Sequence, residues 1–120
     1  LKLRPDADIG IPLHEGFAYS AKQVFTELKP LLKPGYKTSL TGHSLGGAVA
    51  FILAMYLDES QFNVEQVVTF GQPKVTNIPG VEKFQHLFCR SKWPSSYLWY
   101  QGRIMRKGLL VIVLSSLYHI

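Results

Sequence analysis

Apolar residues recur along this chain at two different periods, and the alternation of the two predicts its elements. Phe17, Ala21, Val24, Phe25 and Leu28 keep helical spacing, with Lys22, Gln23, Glu27 and Lys29 between them, the signature of an amphipathic helix. Pro30 ends or kinks it near Lys29, and Pro34-Gly35 turns the chain. Tyr36 to Thr41 is short, rich in β-formers and reads as a strand. Leu45, Val49, Ile52, Leu53 and Tyr56 return to helical spacing and carry a second helix to about Leu57, with Asp58-Glu59-Ser60 at its exit. Val64 to Phe70 is the next strand. A strand, a crossover helix and a strand form a βαβ unit, so residues 36–41 and 64–70 are expected to be parallel neighbours with a right-handed connection.

The flanks are read less sharply. Leu1 to Pro12, with Pro5, Asp6, Asp8, Gly10 and Pro12, reads as a loop. Asn77 to Phe84 holds a short helix interrupted by Pro79-Gly80, and Leu87 to Arg90 looks like a third strand with Cys89 as a buried, inert thiol. Leu109 to Leu114 is a continuous apolar run, a strand or a packed terminal helix, and far too short to span a bilayer.

With 120 residues, 47% of them hydrophobic, the chain suits one small domain with a core of its own. One cysteine permits no internal disulfide. The net charge of +5 is uneven. Residues 1–90 hold nine Lys/Arg and eight Asp/Glu, whereas residues 91–120 hold four Lys/Arg and no acid. The basic balance therefore belongs to the tail and gives no support for a nucleic-acid partner. The four histidines do not cluster at metal-ligand spacing, so neither a metal nor a cofactor is expected. The first methionine is Met55, so the natural start is expected to lie elsewhere.

Candidate chemistry sits between the first strand and the second helix. Gly42-His43-Ser44-Leu45-Gly46, followed by Gly47, matches G-x-S-x-G, a turn that pushes a serine out at the end of a sheet where a base can reach its hydroxyl. The turn is crowded, which explains glycines on either side of the serine. Gly46, Gly47, Ala48, Ala50 and Ala54 would let the helix lie close on the sheet. Gly71 to Asn77 follows the second strand at the carboxyl edge, where open α/β sheets place their sites.

Three stretches, in order, resemble the class 3 (fungal-type) lipases, which are α/β-hydrolases. Leu13-His14-Glu15-Gly16-Phe17 resembles the family's V-H-x-G-F. Tyr36 through Ala48 resembles its strand and elbow nearly residue for residue. Thr69 through Asn77 resembles T-F-G-x-P-[RK]-V-G-N, with Thr76 where glycine is usual. The resemblance covers roughly residues 13–90. It implies a partial parallel sheet with flanking helices and cleavage of ester bonds through an acyl-enzyme. It implies Ser44 as nucleophile and the backbone N–H of Leu45 as one oxyanion donor. Gly42, His43, Gly46 and Gly47 complete the elbow, with His43 packed beside the site. His14 takes a packing or hydrogen-bonding role, and His86 lies on the surface.

The same resemblance marks what is missing. The second oxyanion donor comes in the family from a loop upstream of V-H-x-G-F. The triad acid follows Arg90's position in the family, but here the text becomes Ser91-Lys92-Trp93-Pro94, and no Asp or Glu occurs after Glu82. The family's base lies near the end of the domain; His119 is the candidate, closer along the chain to Ser44 than that spacing implies. Residues 1–90 are thus expected to be a partial lipase domain and residues 91–120 a divergent tail arising from a frameshift or a misread exon boundary. Residues 91–108 are expected to be exposed or loosely packed. Two function classes follow. One is a serine ester hydrolase acting on a lipid or other ester, at a lipid–water interface or as an esterase for non-lipid esters. The other is a catalytically inactive, truncated α/β-hydrolase-like protein.

Overall fold

A computed structural model describes residues 2–88, 102–106 and 109–114. Residues 3–14 form a hairpin, where a loop is expected over Leu1 to Pro12. Leu3–Asp6 (β1) and Ile11–His14 (β2) pair antiparallel, with Pro5 opposite Pro12. In a two-stranded ribbon both strands are edges, so proline costs few ladder bonds. Ile11 and Leu13 are buried on either side of Pro12, an alternation that the turn-forming residues masked.

Glu15–Leu28 is α1, and Lys29–Leu31 continues it as a single 3-10 turn that begins with Pro30 in its first positions. The helix starts at His14, whose Nδ1 accepts the Phe17 N–H at 3.3 Å and whose ring stacks on Phe17 with centroids 3.9 Å apart. This is the packing and hydrogen-bonding role expected of His14.

Lys37–His43 (β3), Leu45–Glu59 (α2) and Asn63–Phe70 (β4) form the βαβ unit, and β3 and β4 are parallel neighbours as expected. α2 is apolar all round, and every residue from Gly46 to Leu57 is buried. It packs on α1 on one side and on β3 and β4 on the other. A helix with no polar face has to be enclosed in this way.

Two expectations for the next stretch are corrected. Ile78–Lys83 (α3) is not interrupted by Pro79-Gly80 but begins there. Asn77 caps it by accepting the Gly80 N–H at 3.0 Å, and proline in a first turn has no helical N–H to lose. Residues 87 and 88 belong to the short helix Gln85–Phe88 (α4), not to a strand. Phe84 and Leu87, both buried and three apart, keep helical rather than alternating spacing. Cys89 and Arg90 lie outside the described residues.

The tail contributes two strands. Gly102–Arg106 (β5) pairs antiparallel with Leu109–Leu114 (β6), and β6 lies beside β3, parallel to it, giving the order β4-β3-β6-β5. The apolar run is therefore an interior strand with Ile112 buried opposite Leu40. Continuous apolar sequence is what a parallel strand inside a sheet carries. Residues 102–106, within the stretch 91–108 expected to be exposed or loosely packed, pair along the outer edge of this sheet. Residues 91–101, 107 and 108 lie outside the described residues.

Candidate active site

The turn at Ser44 joins the carboxyl end of β3 to the first turn of α2, and its geometry follows from crowding. Ser44 has φ +51° and ψ −119°, one of only two non-glycine residues with positive φ among those described. Such a backbone costs about 1–3 kcal/mol and persists only where its surroundings enforce it. One enforcing contact is the Ser44 N–H, which donates to Phe70 O at 2.8 Å and ties the turn to the end of β4. Another is the return of α2 over β3. A Cβ on Gly42 would lie 2.7 Å from Gly47 N and closer still to the Gly46 carbonyl; one on Gly47 would lie 3.0 Å from Gly42 O. Only glycine at 42 lets the helix begin this close to the strand.

Ser44 occupies the N-cap position of α2 without capping it through its side chain. Its hydroxyl is therefore not spent on the helix end, unlike an ordinary capping serine. Leu45 is the first residue of α2, where the backbone N–H has no partner within the helix. Ser44, Leu45 and His43 are half-buried, and Gly46 and Gly47 are buried. His43 is the last residue of β3, in register with Phe70.

His119 lies outside the described residues, so its distance from Ser44 is not part of the site's geometry. Of the described acids, Asp6, Asp8, Glu15, Asp58, Glu59 and Glu65 are paired with basic side chains elsewhere. The closest histidine–carboxylate pair, His86 Nε2 to Asp58 Oδ2 at 2.8 Å, sits near the far end of α2. Ser44 and Asp58 are separated by about 20 Å at the helical rise of roughly 1.5 Å per residue. His86 is half-exposed, as expected of a surface position, and its partner Asp58 lies 28 residues away, beyond the reach of any local pattern.

A second polar cluster braces the hairpin against the helices. Tyr56 Oη donates to Asp6 Oδ2 at 2.8 Å, Lys22 Nζ lies 3.0 Å from the same oxygen, and the Asp8 N–H donates to Asp6 Oδ1 at 3.0 Å. The Asp6 side chain is 5% exposed. Burial alone would push its carboxyl up, but Lys22, Tyr56 and the Asp8 amide together hold it below the ordinary carboxylate value. The hydrogen bond to Asp6 raises Lys22 against the opposing effect of burial. Burial, and then Asp6, push the Tyr56 hydroxyl well up.

The family model for lipase (class 3) matches residues 2–93. The chain belongs to the class 3 lipase family. A secreted mono- and diacylglycerol lipase 1 of Fusarium solani is 36% identical over 78 residues, covering 60% of this chain and 23% of that protein. Lipase A of Sodiomyces alcalophilus is 43% identical over 72 residues, 54% of this chain and 17% of that protein. A lipase of Rhizomucor miehei is 36% identical over 76 residues, 55% of this chain and 21% of that protein. The chain thus spans about a fifth of the length of the relatives it matches. Its parallel β3–β4 pair with flanking helices is part of an α/β-hydrolase fold of the class 3 lipase type.

Proposed function

We propose that this chain is part of a serine ester hydrolase acting on acylglycerols or related lipid esters, with Ser44 as its nucleophile. The observation that carries the reading is the backbone of Ser44: a strained, positive-φ serine between a parallel strand and a helix, its hydroxyl not used as a cap. In the reaction, Ser44 Oγ adds to the ester carbonyl carbon as a base takes its proton. The Leu45 N–H donates to the oxygen that becomes negative. Collapse expels the alcohol, which takes up the proton, and leaves an acyl-serine that water hydrolyses by the same route. His43, Gly42, Gly46 and Gly47 shape the turn and take no proton. A lipid–water interface is the setting that such substrates provide.

A second reading is favoured by one observation: no Asp or Glu follows Glu82. Within these 120 residues the nucleophile lacks a triad acid, and His119 is the one candidate base in the tail. An elbow serine without acid and base retains only what binding and oxyanion donors contribute. The chain on its own is accordingly proposed to turn over little or no substrate. The same reading takes residues 1–90 as a partial lipase domain and residues 91–120 as a tail of separate sequence origin, even though β6 lies within the sheet. Resequencing the transcript tests that origin: an Asn and an Asp restored shortly after Arg90 by a one-base shift supports it, and confirmation of the present frame contradicts it. For the activity, the purified chain and its Ser44→Ala variant are compared on a short-chain p-nitrophenyl ester. Hydrolysis near background in both is expected. Robust hydrolysis abolished by Ser44→Ala refutes the inactive reading and directs the search for a base to His119.

A further inference from the structure

We draw no further inference here: the strongest candidate, the pocket of about 650 Å³ past the carboxyl end of β4 with the exposed Ile78 and Val81 of α3 at its rim, carries none, because nothing in the structure shows what covers it.

Discussion

Replacing Gly42 by alanine tests the crowding that defines the Ser44 turn. The new Cβ would meet Gly47 N at 2.7 Å and the Gly46 carbonyl at shorter range still. Both are backbone groups, so no rotamer change relieves the overlap. An ordinary contact begins near 3.4 Å, so the first turn of α2 has to retreat by about 0.7 Å at Gly47 and by more at Gly46. α2 is enclosed from Gly46 to Leu57, so its retreat disturbs packing against α1, β3 and β4 together. Overpacking of this kind costs about 1–3 kcal/mol and occasionally more. With the whole helix displaced, Gly42→Ala is expected at about 3 kcal/mol or above. Gly71→Ala is the control: its φ is +62° and nothing lies within 4 Å of the added Cβ. Its cost is the left-handed backbone alone, about 1–2 kcal/mol. Gly47→Ala, with one 3.0 Å contact to Gly42 O, should fall between them. Urea unfolding followed by far-UV circular dichroism gives the order. A Gly42→Ala loss no larger than that of Gly71→Ala would refute the reasoning.

Tyr56→Phe removes one hydrogen bond from the buried Asp6 carboxylate, which keeps Lys22 and the Asp8 amide; a loss of about 1.5–3 kcal/mol in the same urea assay is expected. Asp6 is held below its ordinary value of 3.8 in the folded chain. Its contribution is therefore complete above that pH and lost as pH falls through the lower folded value; Asp6→Asn should flatten the acid limb of a stability-against-pH curve. A Cβ on Gly80 would collide with the Thr76 side chain, so Gly80→Ala should destabilise the parent chain by about 1–3 kcal/mol and much less in a Thr76→Gly background, read as the coupling in a double-mutant cycle.

The centre of the fold was legible because its signals are local. The strand before Ser44, the small residues after it and the apolar spacing to Tyr56 each report on neighbours within one or two turns. The glycine pattern also has a single steric cause, now visible in the approach of Gly42 to Gly46 and Gly47. What was missed depends on distant partners. Pro5 and Pro12 look like loop residues in the sequence, and they are tolerated in strands here because both strands of the isolated ribbon are edges. Leu109–Leu114 had a strand's composition, but its place between β3 and β5 is a pairing decision across about 70 residues. The Asp6–Tyr56 bond spans 50 residues, and Tyr56 had been read only as part of an apolar stripe. Thr76 was seen as a departure from the family's glycine; its hydroxyl donates to the Pro12 carbonyl, a role that required the hairpin to be known first.

The central claim is that Ser44 is presented as an elbow nucleophile by its backbone. Incubation of the chain with a fluorophosphonate that phosphonylates nucleophilic serines, followed by peptide mass spectrometry, tests it most directly. The geometry predicts slow phosphonylation confined to Ser44 among all serines, abolished in Ser44→Ala and in urea. Label spread over other serines, or surviving unfolding, would contradict it.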